Sequence, residues 1–230
     1  MIRVLVTRDG GLRDGEAHHL QVRRAGDGEA VELRDGEGLV GAGRAVRAGK
    51  SWRIEATDVN RVPRGPSLTL AVGAGDRERF AWVVEKATEL GVTAVIPLES
   101  ERTAGVATRV RAQHLERLRR HALEVVKQCG AAWAATVEEP LSLSGLVERS
   151  LDGTGWLADA DGRPVPASVG QAPLTVVIGP EGGLTPRERE RLCGAGYEAV
   201  RLAPYTLRFE TAAVAAAAAV VAGRLRGSHG

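Results

Sequence analysis

The sequence predicts an α/β fold preceded by a small β domain, and three observations carry that expectation. Beyond residue 66, short apolar runs alternate with segments of helical period, the pattern of a mostly parallel sheet covered on both faces. Before residue 63 the chain shows short alternating segments instead, dense in glycine and charge. Between the two, Pro63-Arg64-Gly65-Pro66 carries two prolines without backbone donors, which end a sheet pattern and mark a linker. The expected domains are residues 1–66 and 67–230.

In the first domain, Glu29 to Leu33, Gly38 to Val46 and Trp52 to Val59 read as antiparallel strands. Asp35-Gly36 separates the first two and is a hairpin signal, because both central positions of a type I′ turn need positive φ. After the linker, Leu68 to Val72 reads as a buried strand. Asp76 to Leu90 follows as a helix, with Phe80, Val83, Val84, Ala87 and Leu90 on one face and Gly91 placed to close it. Val92 to Leu98 is the next strand, and a long helix covers Val110 to Lys127. Further strands are expected at Ala134 to Val137, Gly155 to Ala158, Leu174 to Ile178 and Ala199 to Leu202. Helical patterns lie at Leu143 to Arg149 and Pro186 to Leu192, and an alanine-rich helix ends the chain.

Composition narrows the function. With 230 residues, 43% apolar and 26% charged, the chain can bury a real core and is not mainly disordered. Its 31 basic and 29 acidic residues leave a net charge of +2, so any nucleic-acid contact should come from a local patch. The positive charge is nearly all arginine, whose planar fork suits phosphate and guanine, although a chain rich in alanine and glycine explains the skew as well. Cys129 and Cys193 make no disulfide framework and no zinc-ligand spacing. The N-terminus has too short an apolar stretch for a signal peptide, and the run from Ala212 to Gly223 is about half of a membrane span. A soluble, cytoplasmic protein is expected.

In open α/β sheets ligands bind beyond the carboxyl ends of the strands, so the loops that follow strands carry the chemistry. Gly73-Ala74-Gly75-Asp76 has two glycines of a dinucleotide fingerprint, but Glu78 stands where the third is due, and no Gly-x-x-x-x-Gly-Lys-Ser/Thr loop exists. A nucleotide crevice of either kind is not expected. Ile178-Gly179-Pro180-Glu181-Gly182-Gly183-Leu184 is richer: its glycines let backbone approach a ligand, and Pro180 stiffens the turn. Thr185 and Glu188 form a capping box with Pro186 at the first helical position. The third loop, Leu202 to Ala212, sets Arg208 between apolar Leu207 and Phe209, where a guanidinium can stabilise charge developing on a substrate. Glu210 in the same loop also suits the first turn of the following helix.

The second and third of these loops together resemble the SPOUT methyltransferases, specifically the family that methylates N3 of a uridine in 16S ribosomal RNA (RsmE-like). The family's Ile-Gly-Pro-Glu-Gly-Gly-Leu/Phe is intact from Ile178 to Leu184. Its Leu-Gly-Pro-Arg-Ile-Leu-Arg-Thr-Glu-Thr-Ala is matched from Leu202 to Ala212 in the Leu, Pro, Leu, Arg, Glu, Thr and Ala. Glu85 to Val92, then Pro97-Leu98 and Ser100-Glu101-Arg102, are similar to the family's first knot-associated segment. Lys127-Gln128-Cys129-Gly130 is similar to the family's Glu-Gln-Cys-Gly, and His18 with Val22 and Arg24 to its His-x-x-x-Val-Leu-Arg, so the likeness spans the chain.

The resemblance implies a PUA-like, RNA-binding β-barrel followed by a SPOUT-type α/β domain with a C-terminal trefoil knot. It implies S-adenosylmethionine as cofactor, held by Leu98, by Ile178, Gly179, Pro180, Glu181, Gly182 and Gly183, and by Leu202, Ala203, Pro204, Thr206 and Leu207. Uracil N3 carries an imide proton, so Arg208 is expected to stabilise charge on O2 and O4, and Glu210 or Glu181 to orient the base or take the proton. No metal is required, because the leaving group is a cationic sulfur. The implied target is the family's uracil1498 in 16S rRNA, free or within the assembled small ribosomal subunit. Arg3, Arg23, Arg24, Arg102 and Tyr205 are the candidate RNA contacts, with Arg44, Arg47, Arg53, Trp52 and Trp82 behind them. A homodimer is also implied. Ala203, Tyr205, Phe209 and Ala131 depart from the family pattern, which leaves open another RNA nucleoside as target, or a non-catalytic RNA-binding or ribosome-assembly factor with the same fold.

Overall fold

Two kinds of sheet divide the computed structural model, which describes residues 1–149 and 151–227. By contact the chain separates into two units, Met1–Arg64 with Ala122–Ala134, and Gly65–His121 with Ala135–Gly230. The return of residues 122–134 to the smaller unit is not visible in a linear reading of the sequence.

The smaller unit holds β1 (Ile2–Leu5), α1 (Glu16–Val22), β2 (Glu29–Arg34), β3 (Leu39–Ala48) and β4 (Ser51–Arg61), in the sheet order β1-β2-β3-β4. β2, β3 and β4 are antiparallel, as expected, but β1 adds a parallel edge, with Ile2 opposite Val31 and Leu5 opposite Arg34. The expectation of a purely antiparallel sheet is therefore corrected: α1 provides the crossover that a parallel pair needs. Val4, Val6, Leu20, Val31, Leu33, Leu39 and Trp52 form its core.

The turn after β2 is wider than a two-residue hairpin, since Arg34 pairs with Val40. Asp35, 1% exposed, organises it: its Oδ1 accepts from Glu37 N at 2.6 Å and Leu39 N at 2.9 Å, and Oδ2 lies 3.3 Å from Arg61 Nη2. Gly36 (φ +75°) and Gly38 (φ +103°) supply the left-handed positions.

Beyond Arg64 follow β5 (Leu68–Gly73), α2 (Arg77–Glu89), β6 (Ala94–Glu99), a 3₁₀ turn at Ala112–His114, α3 (Leu115–Cys129), which from Ala122 onward counts with the smaller unit, β7 (Thr136–Val137) and β8 (Leu141–Ser142). Then come α4 (Leu143–Glu148), β9 (Thr154–Pro164), β10 (Leu174–Ile178), α5 (Pro186–Gly194), β11 (Tyr197–Arg201) and α6 (Phe209–Gly227). The strands run β11-β9-β10-β5-β6-β7, with β8 also on β6, and every pairing is parallel. α2 starts where Asp76 accepts from Glu78 N and Arg79 N, and Gly91 (φ +73°) follows its last turn. α6 packs small residues, Ala213, Ala216, Ala217 and Val220, against α2, β5 and β10. Near its end the buried Arg224 donates to the carbonyls of Pro66, Ser67, Gly170 and Ala172, fixing the helix to the entries of β5 and β10.

Residues 122–134 complete the smaller unit. Arg3 pairs with Glu32 at 2.8 Å and donates to the carbonyls of Lys127 and Gln128 at the end of α3. Lys127 Nζ lies 2.7 Å from both Glu16 and Glu124; burial alone would lower its pKa, yet the hydrogen bonds to Glu124 and Glu16 hold it above the usual lysine range. Trp133 Nε1 donates to Val62 O.

Asp35→Ala removes the acceptor of two backbone N–H groups at a nearly sealed position. The expected cost is about 3 kcal/mol, read as a lower midpoint in denaturant melts of the full chain.

Candidate functional site

At the carboxyl edge of the parallel sheet, the loops after β10 and β11 face each other across a cavity of about 380 Å³. Ile178 and Gly179 leave β10 onto Pro180, and the loop runs through Gly183 (φ +72°) to Thr185, the N-cap of α5. The capping box is present: Thr185 Oγ1 accepts from Glu188 N, and Glu188 Oε2 accepts from Thr185 N at 2.8 Å. The loop after β11 runs from Leu202 to Arg208, whose carbonyl accepts the first helical bond of α6, from Ala212 N.

Of the residues expected to hold a cofactor, Ile178, Gly179, Pro180, Glu181, Gly182, Gly183, Leu202, Ala203, Thr206 and Leu207 all line this cavity. Leu98 and Pro204 do not: Leu98 is 1% exposed in the sheet core, and Pro204 is exposed beside the cavity loop. Two stretches separated by α5 and β11 thus form one concave surface, with apolar Leu157, Ile178, Leu184, Leu207 and Phe209 beside exposed backbone. A cavity of this size, with apolar side chains beside the charged Arg102, Asp159, Asp161, Glu181, Arg189 and Arg201, is suited to a small organic ligand that carries polar groups.

The expected catalytic residues separate. Glu181 lines the cavity and is exposed, its carboxylate lying against Gly75, where an added Cβ would stand 2.6 Å from Oε2. Arg208 is exposed at the start of α6 but is not among the lining residues. Glu210 is turned away from the cavity, with Oε1 3.2 Å from Arg79 Nη1 and a buried Oε2 that accepts no hydrogen bond.

Among the expected RNA contacts, Arg102 and the 83%-exposed Tyr205 stand on the cavity lining. Arg102 reaches over the glycine-rich loop and donates to Gly182 O. In the smaller unit Arg23 and Arg24 are exposed, Arg24 with φ +53°. Arg3 is committed to Glu32 and the end of α3. Among the described residues no group of three or more His, Cys, Asp or Glu side chains is disposed to hold a metal ion, and no helix is long and apolar enough to cross a membrane.

The fourth wall was not anticipated. β9 does not end at Ala158: it pairs Leu157 with Ala199, bulges outward through residues 158–162, and resumes with Arg163 opposite Val200. Ala158, Asp159, Ala160 and Asp161 line the cavity, and a Cβ on Gly162 would stand 2.5 Å from Val200 N. Bulges recur next to active sites because they redirect side chains out of the sheet. Arg189 of α5 meets Asp159 at 2.6 Å. The available signal was Ala158-Asp159-Ala160-Asp161-Gly162 itself, a polar segment at the end of an expected strand on the ligand-binding edge.

Gly73-Ala74-Gly75 is also explained. A Cβ on Gly73 would lie 2.4 Å from Pro180 N, so these glycines make room for the loop after β10.

Residues 63–221 match the model of the RNA methyltransferase domain family. The ribosomal RNA small subunit methyltransferase E of Aquifex aeolicus is 30% identical over 208 residues, covering 88% of this chain and 90% of that protein. The protein of the same name from Mycobacterium bovis is 33% identical over 215 residues, covering 88% and 82%. A crystal structure of the Neisseria gonorrhoeae ribosomal RNA small subunit methyltransferase E, bound to S-adenosyl methionine, superposes with a TM-score of 0.82 at 25% identity, covering 97% of this chain and 98% of that one.

Two glycine substitutions separate backbone crowding from side-chain crowding at this edge. Gly73→Ala forces backbone apart and should cost about 1–3 kcal/mol. Gly75→Ala meets only the far end of Glu181 and should stay within about 1 kcal/mol of the parent in thermal melts.

Proposed function

Since the chain belongs to the RNA methyltransferase family shared with the small subunit methyltransferase E proteins, we propose that it transfers a methyl group from S-adenosylmethionine to N3 of a uridine in 16S ribosomal RNA. By family resemblance the target is uracil1498. The observation that carries this reading is that the two motif loops, Ile178 to Gly183 and Leu202 to Leu207, line a single cavity.

The residues present fit the donor. Gly179, Gly182 and Gly183 leave backbone exposed to a ligand, while Leu157, Leu184 and Leu207 offer apolar walls. S-adenosylmethionine, when bound, supplies a methyl group on a sulfonium that departs as a neutral thioether. What remains for the chain is to bind the base, remove the N3 proton and stabilise the anion.

Glu181 is the carboxylate favoured for the proton, because it lines the cavity whereas Glu210 is held by Arg79. Arg208, exposed at the end of the loop after β11, stabilises charge on O2 and O4. Glu210, tied to α2 through Arg79, fixes the start of α6 and so the position of Arg208. Tyr205 presents a ring on which an unstacked base can rest, and Arg102, Arg23 and Arg24 are the candidate phosphate contacts. The enzyme acts in the cytoplasm, on rRNA free or within the small subunit, and as a homodimer.

Arg208→Ala should lower methyl transfer to 16S rRNA by about 10²-fold or more without altering S-adenosylmethionine affinity; undiminished transfer would remove Arg208 from the chemistry. Nucleoside analysis of rRNA from a deletion strain should show loss of 3-methyluridine. Loss of a different modified nucleoside would redirect the assignment to another RNA target, and failure of S-adenosylmethionine to bind in a calorimetric titration would point to a non-catalytic RNA-binding factor. With a net charge of only +2, RNA affinity should fall shallowly with salt, by a few ions' worth on a log–log plot.

A further inference from the structure

The first turn of α5 carries two adjacent side chains that the proposed chemistry does not use. Glu188 is 3% exposed, and both of its oxygens are spoken for. Oε2 accepts from Thr185 N, closing the capping box, while Oε1 accepts from Glu101 N at 2.8 Å. Glu101 belongs to the loop after β6 and precedes Arg102, the residue that donates to Gly182 O. Capping requires one carboxylate oxygen. The second oxygen ties a different loop to the helix.

Arg189 reaches the other way. Its Nη2 lies 2.6 Å from Asp159 Oδ2, a carboxylate only 8% exposed, and 3.9 Å from Asp161 Oδ2. Asp159 Oδ1 also accepts from Asp161 N at 2.9 Å, so the same side chain closes the bulge of β9 upon itself. One helical turn therefore grips three walls of the cavity: the loop after β6 through Glu188, the bulge through Arg189, and the glycine-rich loop that leads into α5.

We propose that Glu188 and Arg189 are positioning residues that act as a clasp, setting the spacing of these walls and with it the affinity for S-adenosylmethionine. The proposal rests on the reading of the cavity as the methyl-donor site. Walls held in place before binding need not be ordered by the ligand, and that saving appears directly in the dissociation constant. Glu188 does not line the cavity, and Arg189, which does, is engaged there by Asp159, so the clasp acts on cofactor binding and not on the transfer step.

The test measures S-adenosylmethionine binding by calorimetry, and steady-state kinetics, on the full chain. Glu188→Gln keeps one acceptor and loses the other; Arg189→Met keeps the aliphatic stem and drops the ion pair. Each should weaken S-adenosylmethionine binding by about tenfold and raise its KM in parallel, while kcat at saturating cofactor and the KM for RNA stay within about twofold. The Asp159→Asn/Arg189→Met double variant should bind no more weakly than Arg189→Met alone, because both changes break one contact. Parent-like affinity in folded Arg189→Met and Asp159→Asn/Arg189→Met proteins overturns the clasp, even where Glu188→Gln does not fold. Equal losses in kcat and in RNA affinity overturn it as well. A parent protein that binds no S-adenosylmethionine overturns the underlying reading of the cavity instead, an outcome visible before any variant is made.

Discussion

Everything at the candidate site depends on how closely two neighbouring strands release their loops. β5 and β10 pair in parallel with Val72 opposite Ile178, so Gly73 and Gly179 leave the sheet side by side. Pro180 N occupies the space where a Cβ on Gly73 would be, and the Glu181 carboxylate does the same at Gly75. The constraint is steric, and it acts before any ligand is considered. Because Pro180 has a fixed φ and Gly73 has no side chain, the glycine-rich loop has little freedom in its direction. That direction delivers Thr185 to the start of α5, and α5 in turn supplies Glu188 and Arg189. Cavity, helix and braces are successive consequences of one crowded exit.

Arginine usage has a second explanation that composition alone could not supply. Arg3, Arg13, Arg34 and Arg224 each donate to two or more backbone carbonyls, at the ends of elements or in turns. Five N–H donors in a planar fork can satisfy several carbonyls that helix and strand ends leave unpaired, which an ammonium does less well. Arg224 shows this most fully, and burial lowers its pKa from the usual arginine value. Part of the arginine excess thus serves the fold, and Arg3, first considered for RNA, belongs to that part.

The elements most legible in the sequence are those governed by local chemistry. β10 begins and ends where its apolar run does, α2 sits between Asp76 and Gly91, and the Thr185–Glu188 box starts α5 as written. The motif loops were legible for the same reason, since glycine, proline and a carboxylate in sequence already describe a rigid turn near a ligand. What escaped was set by distant partners. β1 is a strand because Val31 and its neighbours lie beside it, and β9 resumes after its bulge because Val200 and Arg201 are there to pair with Arg163 and Pro164. Glu210 read as a catalytic candidate, and only Arg79, far away in sequence, turns it from the cavity.

The membership of residues 122–134 in the smaller unit bears on the order in which the protein can mature during synthesis. At Arg64 the emerging chain has all four strands of the first sheet, yet it lacks the carbonyls that Arg3 binds, the ammonium that neutralises Glu16 and the indole beneath Val62. Those arrive about 70 residues later, which at about 5–20 residues per second is a delay of several seconds. Throughout that interval Glu16, 2% exposed in the finished protein, lacks Lys127, the lysine it pairs with there. The N-terminal segment therefore reaches its final form only after β5 and β6 of the next unit have left the ribosome.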